Sequence, residues 1–178
     1  MEQRNKVRGV DTDRDVAQLT FVSVPDRPGV ARSVFAPFAA AGIIVDVIVQ
    51  NVGHDGTTDL SFTVARSDLA RARRLLRPLV AEIEARDVSV DDSVAKVSIV
   101  GAGVQNVPAY AAQMFGALAD EGINIALIST SEVRITCLIE ESQLERAAQA
   151  LRHAFDLEVP EPGLPLPHSQ GGPNGDPL

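Results

Sequence analysis

One cysteine, no tryptophan, and six Phe plus one Tyr in 178 residues set the first limits. With Cys137 alone there is no disulfide framework within the chain, which fits a reducing compartment and a cytoplasmic setting. The three histidines, His54, His153 and His168, are scattered and have no metal-ligand spacing, so no metal and no cofactor is expected. Positive charge is also short: 16 Lys and Arg against 24 Asp and Glu give a net charge of −8. That excludes the basic footprint that nucleic acid or an anionic membrane requires. No apolar run is long enough to span a bilayer. The opening MEQRNKVRGVDTDRD is charged and does not read as a signal peptide.

What is present is aliphatic. Apolar residues make up 45%, so the core must be built of Val, Ile, Leu and Ala. They fall into a repeat. AQLTFV (Ala17–Val22) matches AKVSIV (Ala95–Val100), and PGVARSVFAPFAAAGI (Pro28–Ile43) matches PAYAAQMFGALADEGI (Pro108–Ile123). The offset grows from 78 to 80 residues because the second turn, VGAGVQNVPA, is the longer one. Two diverged copies of one unit are the simplest reading.

Each copy parses alike. In the first, Ala17–Val24 is a strand, and Pro28 opens a helix carrying Val30, Val34, Phe35 and Phe38 to a stop at Gly42. Strands Ile43–Gln50 and Leu60–Val64 form a hairpin around VGHDGT. Ser67-Asp68 caps a helix with Leu69, Ala72, Leu75, Leu76 and Leu79 on one face, and Val88–Val90 is a short strand. In the second, the strands are Ala95–Val100, Ile123–Ser129 and Val133–Ile139, and the helices are Pro108–Asp120 and Ser142–Phe155, the latter opened by a Ser142/Glu145 capping box. The order β-α-β-β-α-β is the ferredoxin-like split unit, an α+β fold with antiparallel sheets and helices on one face. The expected domains are 16–92 and 93–159, with Lys6–Val10 adding an edge strand to one sheet and a disordered Pro/Gly-rich tail at 160–178. Pro37 and Pro78 fall inside the proposed helices and predict a kink or break at each.

The turn VPDRPGV is the main candidate site. Asp26 is placed to accept a ligand's ammonium, and the N–H groups of Gly29, Val30 and Ala31 to hold a carboxylate at a helix N-terminus. The alternative is that Asp26 caps its own helix. Gln50 at a strand end is either solvated or a ligand contact. Asn124, at the start of an apolar strand, needs partners, from a ligand or from a neighbouring edge. Gly101 and Gly103 lack a G-x-G-x-x-G or P-loop pattern and read as a flexible turn. Arg71, Arg73, Arg74 and Arg77 read as a solvated face and Cys137 as core. No nucleophile–base pair stands out.

The unit with its D-R-P-G turn resembles the ACT domain, a small-molecule sensing module. PDRPGVARSVF, VDVIVQNV, GTTDLSFTV, AKVSIVGAGV, MFGALADEGINIALISTSEVRI and ALRHAFDLE, in this order, resemble the regulatory region of the aspartokinase family from about Val7 to Glu158. The family's K-F-G-G-[ST] phosphate-binding segment has no counterpart here. The resemblance therefore implies a regulatory β subunit, or a C-terminal regulatory region, that does not phosphorylate alone and works with a catalytic partner. It further implies a homodimer in which the first domain of one chain abuts the second of the other. The effector would sit on Asp26, Pro28, Gly29, Val30, Ala31 and Gln50, with Asn124 and Ile125 from the partner chain. Where family members commonly carry N-I-D, this chain has Ile44-Val45-Asp46. The missing amide disfavours a second, lysine-type site, so threonine is the expected effector, with lysine as a possible co-effector. A sensing subunit of another biosynthetic enzyme, such as the small subunit of acetohydroxyacid synthase, is the competing reading. QNV, GTTDLSFT and ISTSEVRI argue against it.

Overall fold

The computed structural model describes residues 7–53 and 55–157. Lys6, His54, His168 and the tail expected at 160–178 lie outside them. The elements in chain order are β1 (Gly9–Asp13), β2 (Ala17–Pro25), α1 (Val30–Ala40), β3 (Val45–Val52), β4 (Thr57–Val64), α2 (Leu69–Glu82), β5 (Asp87–Asp91), β6 (Val94–Val100), α3 (Pro108–Asp120), β7 (Leu127–Ser131), β8 (Arg134–Glu140) and α4 (Leu144–Ala154). They make two antiparallel four-stranded sheets, ordered β3-β4-β2-β5 and β1-β6-β8-β7. No helix among the described residues is long and apolar enough to cross a membrane.

Alternation along the central strands decides each core. In β2, Leu19 and Phe21 are fully buried beneath Val34 and Phe38 of α1 and Leu76 and Leu79 of α2. In the second sheet, Val97, Ile99, Ile135, Cys137 and Ile139 pack under Met114, Leu118 and Leu151. Phe62 on β4 gathers the few aromatics, with ring centroids 5.0 Å from Phe35, 5.2 Å from Phe38 and 6.2 Å from Phe21. On the sheet faces away from the helices, Val16, Val94, Leu127 and Leu138 pack with Val47 and Val49, which joins the halves.

The second unit takes its fourth strand from the chain's beginning. β1 pairs with β6 from Gly9↔Val100 to Asp13↔Lys96, the place that β5 holds beside β2. The strand lies three residues later than Lys6–Val10, because pairing with β6 and the Arg134–Asp11 bond at 2.8 Å override the poor strand propensity of its aspartates.

Five local expectations need correction. Both internal prolines sit in uninterrupted helices, so neither breaks its helix. Each falls near the C-terminal end, and the carbonyls deprived of a donor, on Ser33 and Arg74, are on half-buried and exposed residues that water reaches. Neither capping serine caps. Ser142 Oγ bonds Glu140 at 2.6 Å, and α4 starts at Leu144 after a 3-10 turn over Glu141–Gln143. Ser67 instead presents its N–H and hydroxyl to Asp15, at 2.8 and 2.9 Å. β7 begins at Leu127, not Ile123, which leaves Asn124 and Ile125 in the preceding loop.

The two crossings between units are tied together by Arg66. Its guanidinium donates to the carbonyls of Val16 (3.3 Å) and Val94 (3.0 Å) and pairs with Glu141 at 2.8 Å. Arg14 reaches Glu141 and Glu145 at 3.6 and 2.7 Å. The bond from Arg66 holds the Glu141 carboxyl below the usual carboxylate range, and the Ser67 N–H does the same for Asp15. A carboxyl depressed in the folded state contributes stability above its unfolded value of about 4, and that contribution is lost as pH falls through the lower folded value. The urea midpoint should therefore drop on acidification below about pH 4. Glu141→Gln should flatten that drop, modestly because the groups are exposed. An acid profile unchanged by Glu141→Gln would refute the linkage.

Candidate small-ligand site

β2 ends at Pro25, and the chain must then reverse into α1 across Asp26–Gly29. The Asp26 N–H donates to Gly56 O at 2.9 Å, which anchors the turn to the β3–β4 hairpin. Gly29 takes φ 95°, a left-handed conformation that other residues adopt only with strain, and becomes the N-cap without a side-chain cap bond. A Cβ there would meet nothing within 4 Å, so the glycine serves the backbone angle and not the space. The first-turn N–H groups of a helix lack intrahelical acceptors. Here Val30 N–H makes only a 3.4 Å bond to Arg27 O.

These donors open on a cavity of about 100 Å³. Asp26, Gly29, Val30, Ala31 and Gln50 all line it, with Thr58 and Leu60 from β4. Gln50 arrives because the hairpin register sets it opposite Leu60. The Asp26 carboxylate and the Gln50 amide make no hydrogen bond or ion pair with any described residue, so the cap role for Asp26 is not realised. Arg27 does not neutralise Asp26; it pairs with Glu84 at 2.9 Å. The cavity thus offers an unpaired carboxylate, an unpaired amide and backbone donors, the complement of a small zwitterion. Pro28 lies on the far side of the turn, in an open groove between α1 and the end of α2.

Asn124 and Ile125 are not brought to this cavity within one chain. Asn124 is exposed in a separate depression beside Asp91, Ser93 and Gln143, and its amide has no partner among the described residues. Thr58 and Leu60 escaped sequence reasoning. Thr58 is 3% exposed and gives its hydroxyl to the Asn51 carbonyl, so it shapes the cavity floor. Leu60 already opens the expected second hairpin strand, and extending that strand back to Thr57 would have brought Thr58 beside it.

A larger cavity of about 530 Å³ lies on the open face of the second sheet. Four of its five charges are already paired, Lys96 with Asp46 at 2.6 Å and Arg134 with Asp11 at 2.8 Å, beside the Ser98–Thr136 hydroxyl pair at 2.8 Å, while Asp13 accepts the Asp15 N–H at 2.9 Å. A ligand there would have to displace these bonds, so size does not make it the better site. Cys137 is fully buried, and burial pushes its thiol up to about 12, which removes it as a nucleophile. Among the described residues no cluster of His, Cys, Asp and Glu fits a metal ion.

ACT-domain family profiles match residues 19–81 and 97–155. A chain in a crystal structure of aspartokinase alpha and beta subunits is 43% identical, with a TM-score of 0.79, covering 85% of this chain and 99% of that one. The chain belongs to the aspartokinase family, as its regulatory part. The ligand-free regulatory subunit of aspartate kinase from Thermus thermophilus is 41% identical at a TM-score of 0.80, covering 84% of this chain and 99% of that subunit. Aspartokinase of Pseudomonas aeruginosa is 49% identical over 154 residues, 86% of this chain but 37% of that enzyme. The chain therefore spans just over a third of such full-length relatives and matches the regulatory subunit without the catalytic domain.

Proposed function

We propose that this chain is the feedback sensor of aspartokinase, working in the cytoplasm as a homodimer and binding threonine at the Asp26–Ala31 turn. The observation that carries the reading is the convergence of one unpaired carboxylate, one unpaired amide and a helix N-terminus on a single small cavity. The Asp26 carboxylate takes the ligand's ammonium, and the Gly29–Ala31 N–H groups take its carboxylate. Gln50 reaches the side chain, and Asn124 and Ile125 close the site from the partner. The edge strands support side-by-side pairing. β3 and β7 each end a sheet, and they expose Ile48 (54%) and Ile128 (43%), residues 80 positions apart and so equivalent in the repeat. A cavity of about 100 Å³ suits threonine better than lysine with its four-carbon stem. A solved relative contains alpha and beta subunits together, which supports a partner subunit for this chain, and through that partner the bound state would reach aspartate phosphorylation.

A ligand that binds only the folded state raises its melting temperature. Threonine is expected to do so, and lysine alone to do much less. A shift with lysine equal to or larger than that with threonine would reverse the assignment. No shift with either would remove the sensing role.

A further inference from the structure

Two of the strands that line the small cavity carry an extra residue just before they reach it. In β2, Phe21 pairs with Leu60 and Val24 with Thr58, so Val22 and Ser23 together face Asp59 alone. In β3, Asp46 pairs with Thr63 and Val49 with Ser61, so Val47 and Ile48 together face Phe62 alone. Each bulge holds a residue with a Cβ in the left-handed region, Ser23 at φ 51° and Val47 at φ 45°, where such a residue is strained. Each also gives its N–H to an aspartate. Val47 donates to Asp46 Oδ1 at 2.8 Å, its own neighbour in the chain. Ser23 donates to Asp59 Oδ1 at 2.8 Å, an acceptor brought from another strand.

The β2 bulge sets how the turn is aimed. Inward side chains fall at Ala17, Leu19 and Phe21 before it and at Val24 after it. A slip of one residue turns every following side chain to the other face. Pro25 and Asp26 therefore enter the cavity from the side that the bulge fixes. Asp59 is exposed and does not line the cavity, whereas its neighbours Thr58 and Leu60 do.

We infer that Asp59 is a positioning residue for the effector site: its carboxylate holds Ser23 in the left-handed bulge, and the bulge presents Asp26 and the Gly29–Ala31 N–H groups to the ligand. The inference rests on the reading of the Asp26–Ala31 turn as the threonine site. Asp59 acts through the backbone of β2 and touches no ligand.

The test uses the full chain and measures threonine affinity by calorimetry and amide hydrogen exchange by NMR. The Asp26 N–H, bonded to Gly56 O at 2.9 Å, reports the placement of the turn. Asp59→Ala should weaken threonine binding and speed exchange at Ser23 and Asp26, each about tenfold, the worth of a charge-assisted hydrogen bond. The fold should survive, because the side chain is exposed. Asp59→Asn keeps a side-chain oxygen for the Ser23 N–H and should bind threonine within about threefold of wild type. Adding Ser23→Gly to Asp59→Ala should return affinity to within about threefold, because glycine takes the left-handed angle with no acceptor to hold it. Protection should then return at Asp26 but not at residue 23. A general loss of packing in Asp59→Ala would not be repaired by glycine. Unchanged affinity in Asp59→Ala, or no recovery in the double variant, would overturn the inference. If wild type binds no threonine, the effector reading falls, and the Asp26 amide decides the aim of the turn by itself. Faster exchange in Asp59→Ala with recovery in the double variant supports the bulge as its cause, and unchanged exchange rejects it.

Discussion

Asp26→Asn is expected to weaken threonine binding about ten- to a hundredfold, the worth of a hydrogen bond to a charged group. The urea midpoint should not move. Asp26 makes no cap bond and no ion pair among the described residues, so the isosteric amide removes charge and leaves the turn as it was. A merely solvated Asp26 predicts unchanged affinity. Asn124→Ala should cost a similar factor from the opposite wall. Mixing the two variants then separates a cross-chain site from a site within one chain. In the mixed dimer, the intact turn of the Asn124→Ala chain meets the intact Asn124 of the Asp26→Asn chain, and one good site returns. The other site carries both defects. With subunit exchange confirmed, absence of any recovered threonine binding would place Asn124 outside the pocket.

How much of this was legible in the sequence depended on how local the physics was. Helix α3 runs from Pro108 to Asp120 as expected, because a proline at the first position and Gly122 after the last turn mark both ends locally. The convergence of Asp26, Gly29 and Gln50 is nearly as local: one turn and one hairpin suffice. Contacts across the chain were not legible. Ser67 reads as a cap, yet the carboxylate of Asp15, 52 residues away, takes both its donors. Glu145 reads as half of a capping box, yet it pairs with Arg14. β1 is expected as an edge strand but three residues early, because its few apolar residues do not fix its bounds and pairing with β6 does. The bulge in β3, where Val47 takes φ 45° and the Asp46 carboxylate accepts its N–H at 2.8 Å, likewise leaves no mark on the hydrophobic pattern. Asn124 remained undecided from the residues alone because its proposed partner lies on another molecule.

The largest stability effect is expected at Phe62. It is fully buried on β4, and the rings of Phe21, Phe35 and Phe38 all lie within 6.2 Å of its own. In a chain with six Phe, this cluster holds four of them, so the first core has one aromatic centre. Phe62→Ala should cost about 3–5 kcal/mol, because the lost transfer energy is joined by a cavity that neighbouring strands cannot close. Phe62→Leu keeps most of the volume and should cost far less. The consequence should reach the site, since α1 packs its Val34 and Phe38 into the same core and carries the Gly29–Ala31 donors at its start. Urea unfolding followed by circular dichroism measures the cost, and threonine titration of the folded fraction measures the consequence. Because Arg66 ties both crossings to Glu141, the two units should lose structure in one transition and not in two. A cost below about 1 kcal/mol for Phe62→Ala would mean that the first core relaxes around the gap. Two separated transitions would mean that the Arg66 tie does not couple the units.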